Sequence, residues 1–230
     1  MSTFVLIPGA GGAAWYWHLV VPALEALGHE AIPVDIREDD PKLGLPEYAD
    51  IVRAAVGDRR GVVLVGQSMG GFTVPVVARD VAPRMIVLVN PMIPLPGERP
   101  GEWWDATGQG EARISNDEQA GRSTEFDPYT HFLHDVAPEV LAGSESENRG
   151  PSDTPFGQPC EFERWPEVPI KVLTGRDDRF FPAAFQRRIA KDRLGVDVDE
   201  IPGGHLVALS NPLGLAERLH QYDAEIAGSR

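Results

Sequence analysis

Residues 61–73 have the sequence Gly-Val-Val-Leu-Val-Gly-Gln-Ser-Met-Gly-Gly-Phe-Thr. The apolar, β-branched run from Val62 to Val65 predicts a buried strand, and Phe72 to Val81 predicts a helix that follows almost at once. Ser68 lies at the sharp turn between them. Gly66 and Gly70 flank it where a side chain would collide with the strand or the helix. Ser68 is therefore the candidate nucleophile, and the alternative is a glycine-rich turn with an incidental serine.

The composition bounds the class of protein. A chain of 230 residues with 42% hydrophobic content can bury one sizeable core. The net charge of -14, from 21 basic and 35 acidic residues, disfavours nucleic acid and anionic membrane surfaces as partners. The single cysteine, Cys160, excludes an intrachain disulfide. The apolar run from Phe4 follows no basic segment and is too short for a signal peptide or a membrane span, so we expect neither. We expect a cytoplasmic monomer or homodimer.

Apolar strand patterns alternate with amphipathic helix patterns along most of the chain, which predicts βαβ units and a parallel sheet. The predicted strands are Phe4 to Ile7, Ala31 to Ile36, Val62 to Val65, Met85 to Val89, Ile170 to Thr174 and Val196 to Ile201. The predicted helices are Trp17 to Leu27, Pro46 to Val56, Phe72 to Val81, Ala183 to Leu194 and Leu213 to Ile226. The sequence thus predicts an α/β fold with a mainly parallel six-stranded sheet flanked by helices.

Residues 92–169 lack this alternation. They contain a polar run from Thr107 to Glu125 and one short candidate helix near Tyr129 to Leu133. A structureless loop of this length is improbable in a compact domain. We therefore predict a core formed by residues 1–91 and 170–230, and an inserted cap formed by residues 92–169. The aromatic residues predicted to wall a substrate pocket in the cap are Trp103, Trp104, Phe126 and Trp165, although tryptophans can equally serve only to pack a cap on a core.

Ligands of an open parallel sheet bind beyond the carboxyl ends of its strands. The unusual segments of this chain all follow predicted strands: Pro8 to Gly12, Gln67 to Gly70, Asp177-Asp178 and His205. A serine hydroxyl needs a base within hydrogen-bond reach. Among six histidines, only His205 directly follows a strand, in a Gly-Gly-His loop. His205 is therefore the candidate base.

The base in turn needs a carboxylate that fixes its tautomer. Asp177 and Asp178 both follow the fifth strand, and the spacing to Pro182 favours Asp178. After the fourth strand the corresponding position holds Asn90, which is neutral, so that alternative acid position is predicted to be empty. Asp178 is the candidate acid.

An oxyanion hole requires two backbone N–H groups. The amide of Met69, at the nucleophile turn, is one candidate, and the segment Gly9-Ala10-Gly11 offers the second, for which Ala10 is the choice. A phosphate-binding loop is the alternative for this glycine-rich segment. Neither the G-x-G-x-x-G pattern nor a lysine-containing Walker pattern is present.

His131 and His134 have the spacing H-x-x-H, with Asp135 next to them. This pattern raises the alternative of a metal site, which we disfavour because the sequence supplies no evident further ligand. We expect no metal and no organic cofactor.

The residues now described, in the chain order Ser68, Asp178, His205, resemble the α/β-hydrolase superfamily. Residues 4–17, Phe-Val-Leu-Ile-Pro-Gly-Ala-Gly-Gly-Ala-Ala-Trp-Tyr-Trp, and 178–188, Asp-Arg-Phe-Phe-Pro-Ala-Ala-Phe-Gln-Arg-Arg, resemble the plant methylesterase and hydroxynitrile lyase group and its bacterial esterase relatives. The resemblance implies an α/β-hydrolase fold with a cap after the fourth strand. It also implies a serine esterase in which Ser68, His205 and Asp178 form the catalytic triad, and the amides of Ala10 and Met69 bind the oxyanion.

Two positions depart from the group. Relatives usually have His-Gly in the first loop, where this chain has Pro8-Gly9, and the lyases carry a lysine directly after the catalytic histidine, where this chain has Leu206. Leu206, also a candidate pocket residue, disfavours cyanohydrin cleavage and favours hydrolysis of small or medium carboxylic esters. Thioester or amide hydrolysis, a lyase reaction on the same triad, and a ligand-binding receptor with a vestigial triad stay open.

Overall fold

The computed structural model describes residues 1–144 and 149–228. Residues 145–148, which belong to the predicted cap, and residues 229–230, which belong to the predicted core, lie outside this description.

A six-stranded sheet forms the centre of the molecule, and all its neighbouring strands are parallel, in the order β2-β1-β3-β4-β5-β6. The strands are β1 (Thr3–Ile7), β2 (Glu30–Pro33), β3 (Val63–Gln67), β4 (Met85–Val89), β5 (Ile170–Gly175) and β6 (Val198–Ile201). The predicted six-stranded α/β fold is therefore confirmed.

Helices cover both faces of the sheet. In the described residues the α-helices are α1 (Val20–Ala26), α2 (Leu45–Val56), α3 (Gly70–Val81), α4 (Pro100–Thr107), α5 (Gln109–Gln119), α6 (Pro128–His131), α7 (Pro138–Leu141), α8 (Ala183–Leu194), α9 (Val207–Ser210) and α10 (Pro212–Ala227). Two 3₁₀ turns, Ala14–Trp17 and Pro155–Gly157, accompany them. Within the described ranges, no helix has both the length and the apolar content that a bilayer crossing requires.

The sheet separates two hydrophobic clusters, because successive side chains of a strand point to opposite faces. Val5 and Leu64 pack with α2, α3 and α8 on one face. Phe4 and Val63 pack with α1 and α10 on the other. Strands β3 and β4 are buried along their whole length, which agrees with their continuous apolar sequence. Loops at the carboxyl ends of these central strands consequently start from a rigid base.

The predicted boundaries differ from the structure where the chain has a competing bond. Strand β2 stops at Pro33 instead of Ile36, because the N–H of Ile36 donates to the carbonyl of Gly12 in the first loop, at 2.8 Å. The predicted helix from Trp17 is split, and α1 begins only at Val20. This start puts Pro22 in the first turn, where its missing N–H costs no helical hydrogen bond. Strand β4 and helix α8 have the predicted bounds.

Residues 92–169 form the connection between β4 and β5, and they are more regular than the sequence pattern predicts. Helices α4 and α5 occupy residues 100–107 and 109–119, in the stretch predicted to be irregular. Helix α5 has almost no apolar face to detect: its buried residues are Gln109 and Asp117. Asp117 accepts hydrogen bonds from Arg113, Arg122 and His131, so a buried polar network replaces the apolar stripe. The division into core and cap at residues 92 and 169 stays a prediction.

The turn between β3 and α3 has the predicted geometry. Ser68 has a φ of 49°, in the left-handed region that side chains rarely adopt. A Cβ on Gly66 would come within 2.5 Å of Val74 in α3, and one on Gly70 would come within 2.5 Å of the carbonyl oxygen of Pro8. The two glycines therefore let β3, α3 and the end of β1 approach each other closely around Ser68.

We expect Gly70→Ala to lower the free energy of unfolding by roughly 1–3 kcal/mol, because the added methyl group would press on backbone that cannot move aside. Gly110→Ala is the matched control, because Gly110 also lies in a helix, α5, and a Cβ at this position would have no neighbouring atom within 4 Å. The control should be neutral or stabilising by about 0.5–1 kcal/mol. Urea denaturation of both variants measures the difference, and equal midpoints would contradict the packing argument.

Candidate active site

Three loops that leave β3, β5 and β6 bring Ser68, Asp178 and His205 into one hydrogen-bonded chain. Nε2 of His205 is 3.1 Å from Oγ of Ser68, and Nδ1 of His205 is 2.8 Å from Oδ2 of Asp178. The three residues are 9%, 3% and 3% exposed, respectively. With a proton on Nδ1 donated to the carboxylate, Nε2 is left to accept the serine proton. The arrangement can therefore activate Ser68 as a nucleophile.

The structure distinguishes the two aspartates that the sequence left as alternatives. The second carboxylate oxygen of Asp178, Oδ1, accepts the N–H groups of Phe180 and Phe181 at 2.8 and 2.9 Å. Asp177 is exposed and accepts the N–H of Gly203 at 3.2 Å. Asp178 is thus fixed against the histidine, whereas Asp177 bonds the backbone of the loop.

Asn90, which the sequence reasoning set aside as an empty acid position, is fully buried and connects the end of β5 with the loop after β6. Its amide nitrogen donates to the carbonyl oxygens of Gly204 and His205, at 3.1 and 2.9 Å. Its oxygen accepts the N–H of Gly175 at 2.7 Å and the hydroxyl of Thr174 at 3.0 Å. Asn90 also has a φ of 43°. An asparagine directly after a buried strand is the signal that could have found it, because asparagine tolerates left-handed backbone better than most residues.

A second side chain that the sequence reasoning did not connect with the site is Asp135, from the loop after α6. Its Oδ2 accepts the N–H of Gly204 at 2.5 Å, and a Cβ on Gly204 would come within 2.7 Å of the His134 ring. The residue before His205 is therefore bonded by Asn90 through its carbonyl and by Asp135 through its amide.

The two histidines of the H-x-x-H pattern contact different residues. His131 is fully buried and is 3.0 Å from Asp117, whereas His134 packs on Gly204. Burial lowers the pKa of His134. In residues 1–144 and 149–228 no three His, Cys, Asp or Glu side chains are grouped so that they could hold a metal ion.

The candidate oxyanion donors belong to Met69, which directly follows Ser68, and to Ala10 in the first loop. The N–H groups of Ala10 and Met69 donate to no other described residue. The first loop, residues 9–12, lies against the nucleophile, because a Cβ on Gly9 would come within 2.9 Å of the Ser68 Cβ. Two unused backbone donors next to a serine are what an oxyanion hole requires.

Phenyl rings that the sequence reasoning did not single out surround the imidazole. The ring centroids of Phe132, Phe180 and Phe181 lie 5.2, 5.2 and 4.9 Å from that of His205. Phe126 and Trp104, both predicted pocket residues, contact this group through Phe180, at 5.7 and 5.8 Å. Phe126 is 49% exposed.

The remaining predicted pocket residues are Trp103, Trp165 and Leu206, of which Trp103 reaches the same group of rings, with its centroid 5.3 Å from that of Phe181. Trp103 has no exposed surface, donates its indole N–H to the carbonyl of Ile93 and belongs to a core cluster. These contacts favour, for Trp103, the alternative that a cap tryptophan serves only to pack against the core. Trp165 donates to the carbonyl of Pro94 at 3.3 Å, and Leu206 is half-buried. A cavity of about 380 Å³ is lined by Trp104 and Asp105 of α4 and by residues of α5. Neither Ser68, His205 nor Asp178 lines it.

The chain is similar to one family model and to several curated proteins. The model of the alpha/beta hydrolase family matches residues 4–218. The probable esterase PIR7A of rice (Oryza sativa) is 40% identical over 30% of both chains. Methylesterase 3 of Arabidopsis thaliana is 32% identical over 44% of this chain and 43% of that protein. The matched part thus spans less than half the length of these curated relatives.

Among solved structures, a pyrethroid hydrolase from Sphingobium faniae superposes with a TM-score of 0.76 over 96% of both chains, at 22% identity. At this identity the similarity shows the fold alone. The family match covers nearly the whole chain and confirms the resemblance to the α/β-hydrolase superfamily. The rice esterase and the Arabidopsis methylesterase agree with the finer resemblance that residues 4–17 and 178–188 carry. The chain belongs to the alpha/beta hydrolase family.

Proposed function

We propose that this protein is a serine hydrolase that cleaves small or medium carboxylic esters through an acyl-enzyme intermediate. The observation that carries the proposal is the continuous hydrogen-bonded chain from Ser68 through His205 to Asp178, with distances of 3.1 and 2.8 Å. The names of the rice and Arabidopsis relatives, an esterase and a methylesterase, support the choice of esters.

In the first half of the reaction, Oγ of Ser68 attacks the ester carbonyl carbon while its proton moves to Nε2 of His205. The carbonyl oxygen becomes an oxyanion, which accepts hydrogen bonds from the amides of Ala10 and Met69. The tetrahedral intermediate collapses when the bond to the alcohol oxygen breaks, and the alcohol leaves with the proton from Nε2. Ser68 then carries the acyl group.

In the second half, a water molecule gives one proton to Nε2 and attacks the acyl carbonyl. The second tetrahedral intermediate releases the carboxylic acid, and Oγ of Ser68 recovers its proton from His205. Asp178 stabilises the imidazolium in both halves, and the N–H groups of Phe180 and Phe181 keep that carboxylate in place.

The substrate class follows from the surroundings of the triad. Phe132, Phe180 and Phe181 present an apolar environment to the imidazole, which suits alkyl or aryl groups better than charged ones. Leu206 provides no cation beside His205, and this disfavours a cyanohydrin, whose cleavage releases cyanide. Thioesters and amides are the competing substrates on the same triad.

A fluorophosphonate probe tests the nucleophile directly. The wild-type protein should gain one probe mass in intact mass spectrometry, because the activated serine attacks the phosphorus atom, and Ser68→Ala should gain none. The matched control Ser210→Ala, in α9, should be labelled like wild type. An unlabelled wild-type protein would favour a receptor with a vestigial triad, and labelling of Ser68→Ala would assign the nucleophile elsewhere.

A panel of an aryl ester, a thioester, an amide and a cyanohydrin tests the reaction class. We expect the highest kcat/KM for the ester and loss of that activity in Ser68→Ala. If the wild-type enzyme turns over the thioester, the amide or the cyanohydrin faster than the ester, and Ser68→Ala does not, the proposal of ester hydrolysis is wrong and that reaction takes its place.

The acid is tested by a matched pair of variants. Asp178→Asn should lower kcat by about 10⁴-fold, because the amide cannot hold the required tautomer or stabilise the imidazolium. Asp177→Asn, which alters only the exposed neighbour, should lower it far less. Steady-state kinetics on one ester measures both, and the reverse ranking would transfer the role to Asp177.

A further inference from the structure

Glu38 is a buried carboxyl group that the proposed mechanism does not use. It follows β2, and only 2% of its surface is exposed. Its Oε2 accepts the N–H of Gly11 at 2.7 Å. Gly11 directly follows Ala10, whose amide is the candidate oxyanion donor. A bond from Glu38 therefore holds the peptide group next to that donor.

The first loop has few other restraints. The N–H of Gly12 donates to the carbonyl of Gly9 at 3.0 Å, within the loop, and the carbonyl of Gly12 accepts from Ile36 at 2.8 Å. Gly11 and Gly12 have φ values of 99° and 68°. Because glycine has no Cβ, these residues have more accessible backbone conformations than other residues would have. In the part of the chain that the structure describes, Glu38 is the side chain that hydrogen-bonds this loop.

The surroundings of Glu38 favour its neutral form. Burial raises the pKa of this carboxyl to about 8, against a smaller opposite effect of the Gly11 N–H and of Arg149. Arg149 also faces Asp35, with which it forms an ion pair. From α2, Tyr48 faces Glu38 with a buried hydroxyl that has no hydrogen-bond partner among residues 1–144 and 149–228. On the same segment, the exposed Arg37 and Asp39 flank Glu38 and form an ion pair with each other.

We propose that Glu38 is a positioning residue that holds the oxyanion loop through Gly11 and, while protonated, keeps negative charge away from the oxyanion. This inference rests on the proposed function, because it requires an oxyanion at Ala10. A neutral carboxyl still accepts the Gly11 N–H through its carbonyl oxygen. When Glu38 loses its proton at alkaline pH, a negative charge lies against the N–H of Gly11, the residue after the candidate donor Ala10, in a buried site. This charge repels the developing oxyanion and so opposes the transition state.

The test compares wild type, Glu38→Gln, Glu38→Ala and Asp39→Asn in ester hydrolysis from pH 6 to 10. The wild-type kcat should fall above about pH 8, and the fall should be absent in Glu38→Gln, which keeps the acceptor but cannot ionise. Glu38→Ala should lose about tenfold in kcat near neutral pH with little change in KM, because the donor loop is no longer held. Asp39→Asn should have the wild-type pH profile.

The phosphonylation rate constant of each variant, measured with the fluorophosphonate probe, separates this inference from the proposed function. If wild type is not labelled at Ser68, the proposed function fails. If wild type is labelled but Glu38→Gln retains the alkaline fall, or Glu38→Ala reacts at the wild-type rate with an unchanged profile, the role of Glu38 is wrong. Thermal unfolding identifies a misfolded Glu38→Ala, in which case the pH profile of the isosteric Glu38→Gln decides alone.

Discussion

The left-handed backbone of Ser68 is the constraint on which the rest of the structure depends. A φ of 49° at a non-glycine residue costs on the order of 1–3 kcal/mol, so the surrounding packing must impose it. Strand β3 and helix α3 impose it from both sides, and they meet closely because Gly66 and Gly70 carry no side chain. The backbone carbonyl of Ser68 is held as well, since it accepts the N–H groups of Gly71 and Met92. The hydroxyl is consequently presented at the sheet edge in one direction.

A fixed hydroxyl is useful only if its partners are fixed too, and the parallel sheet makes this possible. Strands β3, β4 and β5 are neighbours, and their carboxyl ends bring Ser68, Asn90 and Asp178 to the same edge. The histidine comes from the loop after β6, an edge strand of four residues that is less buried than β3 and β4. Side chains compensate for that position: Asn90 and Asp135 bond the peptide groups of Gly204 and His205. The Gly-Gly loop is thereby held by a residue at the end of β4 and by a residue of the connection between β4 and β5.

The sequence predicted the sheet, its flanking helices and the residues of the hydrogen-bonded chain, because each of these has a local pattern. Buried strands are apolar runs, and a serine between two spaced glycines marks its own turn. The cap region was less predictable for a physical reason: α5 is stabilised by the charged network around Asp117, and such a network leaves no hydrophobic periodicity. The rings of Phe132 and Phe180 likewise meet His205 only after the chain has folded.

The polar residues that sequence reasoning missed share one property, which is that they hydrogen-bond the backbone of the site loops rather than a candidate catalytic side chain. Asn90, Asp135 and Glu38 each contact a peptide group of a loop that carries a candidate catalytic atom. A backbone amide or carbonyl is present at nearly every position, so the sequence gives no sign of which one a distant polar side chain will reach. Burial makes these bonds consequential, because a buried peptide group without a partner costs more than the bond itself contributes. The distances between Ser68, His205 and Asp178 therefore depend on polar residues that belong to no catalytic motif. Substitutions that preserve the motif can still disturb the geometry of the site.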